Sequence, residues 1–202
     1  MAGTARGGSD RRGPRRAVPL ALVAIALVAV VVTAFVVARV PNPLTNVVGL
    51  NAGEIAPDFT IADVNGTQWS LHAHLGEVVL IDFMGVRCTA CDSEMLQGTL
   101  QSAYRNYSAR GLSILSVDVG TSLGTTNATE AWRFIHGMGV DGSRWEPGAW
   151  PIALDRQGLA ATYRSQDMLP MKYLVDRAGR IAWTNLGLTS PAEIDAAVLP
   201  LL

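Results

Sequence analysis

Cysteine is nearly absent from this sequence. The 202 residues include two, Cys88 and Cys91, together with three histidines. That inventory has no recognisable spacing for a structural zinc site, which takes about four ligands. Internal repeats are lacking too, which excludes a solenoid. Beyond residue 40, ten basic residues stand against sixteen acidic ones. That part of the chain therefore offers no large basic surface for nucleic acid. Charged residues are sparse overall at 16%, whereas apolar residues make up 49%. This is enough for one full core plus an appendage at this length.

The appendage is at the N-terminus. Residues 1–16 hold five arginines against Asp10 alone, and AVPLALVAIALVAVVVTAFVVA, 22 residues without a charge, runs from Ala17 to Ala38. As a helix this run spans ~33 Å, which matches a hydrocarbon core of ~30 Å. Its length exceeds the ~7–15 residues of a cleaved signal's apolar region, and no small-x-small cleavage site follows. Residues 17–40 are therefore expected to be a single retained transmembrane anchor. The arginine cluster precedes the span, so residues 1–16 form a cytoplasmic basic tail and the rest of the chain lies outside the cytoplasm. The pairs Arg11-Arg12 and Arg15-Arg16 are not followed by residues typical of a twin-arginine export signal.

Residues 41–53, rich in proline and glycine, are expected to be a linker, with the folded domain spanning 54–202. Asn65-Gly66 predicts a two-residue turn between strands at 59–64 and 67–71. EVVLIDFM (77–84) and LSILSVDVG (112–120) are short apolar runs suited to buried strands. The stretch from Cys91 to Gly111 has helical apolar spacing. A second helix is expected from Thr129, its possible cap. A short strand at 151–155 and a short helix at 158–164 follow. A hairpin over 171–187 turns at Asp176 to Gly179, and a last helix starts at Ser190-Pro191. The order implies a mixed α/β sheet with helices on both faces. Trp145 and Trp150 lie in an irregular segment and either line a groove or pack beneath it.

Cys88 falls after a buried strand, at the start of a helix. Free N–H groups and the dipole at a helix N-terminus favour an anion, and such a site lowers a thiol pKa from ~8.5 into the ~3.5–7.5 range. Arg87 adds a cation. A bridge across two residues constrains little of the unfolded chain, which disfavours a purely structural staple. The pattern suits exchange instead: Cys88 attacks a disulfide, and Cys91 then attacks Cys88 and releases the reduced substrate. Cys91 needs a proton acceptor. Asp82, on the strand before the pair, is the candidate; the alternative is a carboxylate at a strand end facing a polar loop.

EIAPDFTIADVNGTQWSLHAHLGEVVLIDFMGVRCTACDSEM and LPMKYLVDRAGRIAWTNLG resemble the TlpA/ResA-type membrane-anchored thioredoxin-like proteins of the redoxin superfamily. The resemblance covers residues 54–202. It implies a thioredoxin-like α/β fold, a mixed central sheet with flanking helices and an N-terminal β-hairpin, preceded by one transmembrane helix. It also implies a protein thiol–disulfide oxidoreductase. Cys88 would be the nucleophile, Cys91 the resolving thiol, Asp82 the buried carboxylate and Pro170 a cis-proline beside the cysteines. Arg87, Thr89, Ala90 and Leu169 would meet the substrate. No cofactor beyond the Cys88–Cys91 disulfide and no metal are expected. The expected partners are protein disulfides and a membrane-embedded thiol donor, with cytochrome c maturation as a family-level role.

The chain departs from that family where Met84 and Arg87 replace customary tryptophans and where Ala90 replaces the proline before the second cysteine. Arg87 should favour the thiolate and make the disulfide more oxidising. Two rivals use the same cysteines. A peroxiredoxin-type peroxidase shares the APDF opening but normally has Thr-x-x-Cys, absent from Gly85-Val86-Arg87-Cys88. A Cu(I) carrier would suit soft thiolates but normally has wider cysteine spacing and a distant histidine; His136 is available, but on a helix with Trp132 and Phe134 it reads as a packed side chain, and His72 and His74 as facing solvent.

Overall fold

The structure, a computed structural model, describes residues 46–120, 127–165 and 168–202. The predicted tail and membrane anchor lie outside the described residues. Among the described residues, no helix is long and apolar enough to cross a membrane.

Leu44–Leu202 forms one compact unit. Its centre is β3 (Val78–Met84), seven residues all buried. A strand buried on both faces needs apolar side chains throughout, and VVLIDFM supplies them except at Asp82, three of them β-branched. β4 (Leu112–Asp118) and β5 (Ile152–Leu154) extend the sheet in parallel on one side, while β6 (Met171–Val175) and β7 (Ile181–Leu186) extend it antiparallel on the other. The order is β5-β4-β3-β6-β7. A separate hairpin, β1 (Thr60–Ala62) with β2 (Gln68–Ser70), adjoins the β5 edge, where Val64 N–H donates to Ile152 O at 2.9 Å.

Side chains alternate across a strand, and the two faces of β3 are covered differently. Val78, Leu80 and Met84 pack with α1 (Thr89–Gln97), α2 (Thr99–Tyr107), α3 (Ala128–Ile135) and α5 (Pro191–Val198). Val79, Ile81 and Phe83 meet Ile61 and Trp69 of the hairpin and the one-turn α4 (Leu159–Thr162). Helices lie on both faces, as expected, but unevenly: one face takes four helices, the other the one-turn α4 together with the hairpin.

Local chemistry shifts three further expectations. The hairpin loop is not the two-residue turn that Asn65-Gly66 suggested. Asp63 N–H donates to Thr67 O and Gly66 N–H to Asp63 O, while Asp63 Oδ1 accepts from Asn65 and Thr67 N–H, both at 2.8 Å. The β6–β7 loop repeats this design from Asp176 to Arg180, with Asp176 Oδ1 accepting from Ala178 and Arg180 N–H at 2.9 Å. Both read Asp-x-x-Gly-x, a three-residue loop with glycine at the left-handed position; Gly66 and Gly179 have φ of 87° and 79°. The expected single helix after Cys91 is two helices, because Gly98 adopts φ 69°, ψ 27° and ends α1. The cap of α3 is Asn127, whose side chain accepts from Glu130 N–H, in place of Thr129.

The expected linker is anchored where it is described. Gly49 N–H donates to Ile55 O, Ile55 N–H to Val47 O and Gly53 N–H to Ile181 O. Residues from Val47 onward are therefore tied to the β7 side of the domain.

Candidate active site

The cysteines lie where the central strand hands over to the first helix. Cys88 is the N-cap of α1, and its sulfur accepts a hydrogen bond from Cys91 N–H at 3.3 Å. The two form a disulfide with Cα atoms 5.2 Å apart. Cys88 is partly exposed, while Cys91 is buried among Met84, Val86 and Met95. The outer sulfur is thus accessible to a partner and the inner one is not. The Leu169–Pro170 peptide bond is cis, as the resemblance implied. Pro170 directly precedes Met171, which pairs with Phe83 near the end of β3. This places the proline at the edge from which residues 85–88 lead to α1. Leu169 and Cys88 pack against the same core cluster.

The expected contact residues differ in setting. Thr89 is exposed and Ala90 partly so. Arg87 is exposed but already occupied: its guanidinium donates to Glu130 Oε1 on α3 at 3.0 Å. Its cation is shared with a carboxylate, so the helix N-terminus remains as the main stabiliser of a Cys88 thiolate. Asp92, in the first turn of α1, is pushed up to about 6 by burial, with Asp141's charge adding.

Asp82 is 3% exposed and lies on the same face of β3 as Leu80 and Met84, the face covered by α1. The strand-end alternative is thereby set aside, since Asp82 sits between buried Ile81 and Phe83. Its Oδ2 accepts from Ser116 Oγ on β4 at 3.0 Å, and Ser116 Oγ accepts from Trp150 Nε1 at 3.0 Å. Trp150 thus donates into the carboxylate network, and it also borders a surface pocket with Tyr104, Ala149 and Pro151. Trp145 packs edge-on against Phe134 and donates to its carbonyl.

Two residues of this network escaped the sequence reading. Lys172, fully buried on β6, donates to Glu94 Oε1 and Oε2 at 2.8 and 2.6 Å and stands 3.5 Å from Asp82 Oδ1. Glu94, on α1, also accepts from Thr189 N–H at 2.6 Å. Burial drives Glu94 upward from its ordinary carboxylate value, Lys172 pulls it back, and the charge of Asp82 raises it further. Both residues had a sequence signal. Glu94 follows Cys91 by three residues, one turn on the same face. Lys172 is the only lysine in the chain, and it interrupts the apolar strand MKYLV.

Asp118 closes β4. It is 1% exposed and pushed up to about 6, chiefly by burial. Gly120 N–H donates to its Oδ1 at 3.2 Å, while Oδ2 is buried without a hydrogen bond. Among the described residues, no group of three or more His, Cys, Asp or Glu could hold a metal ion. His136 is stacked on Trp132, ring centroids 4.0 Å apart.

A central sheet of this topology, a C-x-x-C disulfide capping the first helix after the middle strand, and a cis-proline before the neighbouring antiparallel strand define a thioredoxin-like thiol–disulfide oxidoreductase. The chain belongs to the AhpC/TSA family, whose model matches residues 52–184. It is similar to the thiol-disulfide oxidoreductase ResA of Geobacillus kaustophilus, 26% identical over 154 residues, 76% of this chain and 80% of that one. It is also similar to the thioredoxin-like protein YneN of Bacillus subtilis, at 24% over 73% of this chain and 79% of the relative. Two solved structures share the fold. One is a putative protein disulfide isomerase from Bacteroides thetaiotaomicron (TM-score 0.62, 23% identity, 76% of this chain and 91% of that chain). The other is a putative thiol:disulfide interchange protein DsbE from Chlorobium tepidum (TM-score 0.59, 21% identity, 76% and 99%).

Proposed function

We propose that the chain reduces disulfides of protein partners outside the cytoplasm, held at the membrane by residues 17–40 and recharged by a membrane-embedded thiol donor. The observation that carries this reading is the asymmetry of the pair: Cys88 is partly exposed at a helix N-terminus, and Cys91 is buried one turn inward.

The mechanism follows from that asymmetry. The Cys88 thiolate attacks one sulfur of the substrate disulfide and the other leaves as a thiolate. Cys91 gives its proton to the buried carboxylates and attacks Cys88 Sγ. The Cys88–Cys91 bond forms, and the bond from Cys88 to the substrate breaks, so that the second substrate sulfur also leaves as a thiolate and the substrate takes its protons from solvent. The substrate is reduced by two electrons and the cysteine pair is oxidised by two. Asp82 is the proposed proton acceptor. Pro170, with Leu169, Arg87, Thr89 and Ala90, forms the surface that the substrate strand meets. A donor facing the same compartment must return the two electrons, because soluble cytoplasmic thiols do not reach that side.

Mixed-disulfide trapping tests the reading. With Cys91→Ser, a covalent adduct between Cys88 and a disulfide-bearing protein should accumulate and disappear on addition of dithiothreitol. Failure of any adduct to form would refute it. Extraction of host membranes with alkaline carbonate tests the anchor: the chain should stay in the pellet, and release would refute retention through residues 17–40.

A further inference from the structure

The chain's only lysine is also one of its most deeply buried polar side chains. A buried ammonium is costly unless paired, and this one meets two carboxylates from two different elements. The three groups divide unequally. Glu94 takes both short hydrogen bonds from Lys172 and a third from Thr189 N–H. Asp82 keeps Oδ2 on Ser116, while its Oδ1 faces Lys172 at 3.5 Å and has no hydrogen bond. With all three groups ionised, the cluster carries one uncompensated negative charge and one open acceptor atom. It has room for one proton.

We infer that Lys172 is a positioning residue for the resolving step: it binds Glu94 and Asp82 into a single acceptor for the one proton that Cys91 must lose. This rests on the proposed thiol–disulfide exchange. The placement supports it. Cys91 and Glu94 share a buried face of α1 at one-turn spacing, and Lys172 is held opposite Asp82 by the β3–β6 register. The groups around the cluster are few. β3 contributes Asp82, α1 Glu94 and Cys91, and β6 Lys172. Neutral partners come from β4 (Ser116), residue 150 (Trp150), and the β7 side, where Thr189 lies and Asn185 pairs with Lys172. Burial already lifts Glu94. Without the cation, two adjacent buried carboxylates could not both ionise near neutrality. The cluster would then hold its proton and refuse another.

The test uses the full reduced chain and 5,5′-dithiobis(2-nitrobenzoate) in a stopped-flow instrument across pH. Cys88 thiolate releases the first thionitrobenzoate and leaves a mixed disulfide; Cys91 releases the second and closes the Cys88–Cys91 bond. Lys172→Met should leave the pH midpoint of the first phase unchanged. It should move that of the second phase up by at least one unit, about tenfold slower at pH 7. The double variant Lys172→Met with Glu94→Gln keeps the net charge at minus one. It should return the second midpoint to that of the unmodified chain, and it carries the test if the single variant does not fold. An unmoved second midpoint in the folded single variant overturns the inference, as does a double variant whose second midpoint stays displaced from that of the unmodified chain. A second phase missing from the unmodified chain itself overturns the proposed function instead, and is seen before any variant is made.

Discussion

Cys88 Sγ accepts the N–H of Cys91 at 3.3 Å, so the sulfur proposed to meet the substrate also caps the helix that carries its proposed resolving partner. An N-cap acceptor satisfies one of the free donors of a first turn. A thiolate does this better than a thiol, because the bond becomes charge-assisted. Reduction therefore leaves the negative sulfur in a place already shaped for it. The Cys88 thiol should ionise below the ~8.5 of a free cysteine, within the ~3.5–7.5 range of helix-start sites. Iodoacetamide alkylation of the reduced chain as a function of pH measures this, and a midpoint at or above 8.5 would contradict it.

Arg87 is held by Glu130 at 3.0 Å, which mutes the effect expected of a cation beside Cys88. Glu130→Gln frees the guanidinium and removes a nearby negative charge. Both changes favour the thiolate, so the disulfide should become more oxidising. An exposed pair contributes about 0–1 kcal/mol, which corresponds to a rise of no more than about 20 mV. Equilibration of both chains against the same glutathione buffers reads the difference. A fall in potential would show that Glu130 acts by some other route.

Asp118 predicts a pH dependence of stability. Its folded value of about 6 lies above its ordinary 3.8 because burial disfavours the charge. Between those values the folded state binds more proton than the unfolded one, so stability falls as pH rises through the window and stays lowered above it. Asp118→Asn removes the charge and retains an acceptor for Gly120 N–H. It should stabilise the fold at pH 7.5 by about 1–3 kcal/mol, and by little at pH 4. Urea melts at the two pH values compare these, and equal effects at both would rule out the buried charge as the cause.

Ser190 and Glu193 form a reciprocal capping box at the start of α5, with Pro191 as first helical residue. Ser190→Ala should cost about 1 kcal/mol without altering the thiol chemistry. A thermal melt gives the first quantity and the alkylation profile of Cys88 the second. A change in that profile would mean that α5 is coupled to the site.

How much of this was readable in advance follows from the range of the forces involved. The strands at 78–84 and 112–118, the C-terminal hairpin and the Ser190-Pro191 helix start were legible because burial and capping leave local patterns. The placement of Cys88 was legible for the same reason: it follows an apolar strand and opens a helix. The broken helix was not, because apolar spacing continues across Gly98 and only its left-handed backbone marks the break. Arg87 looked like a free cation because Glu130 is 43 residues away. The proposed acceptor site was half legible. Asp82 stands out in an apolar strand, but its partners come from three other elements: the sheet register brings Ser116 and Lys172 beside it, and the packing of α1 on that face brings Glu94.

The central claim is that Cys88 and Cys91 exchange electrons as a reductant, and their reduction potential tests it most directly. The full chain, equilibrated against dithiothreitol or glutathione buffers, should show one reversible two-electron couple below about −220 mV, toward the reducing end of the range for such pairs. A couple near about −120 mV would make the chain an oxidant and contradict the proposed direction. The absence of any reversible couple would contradict the account as a whole.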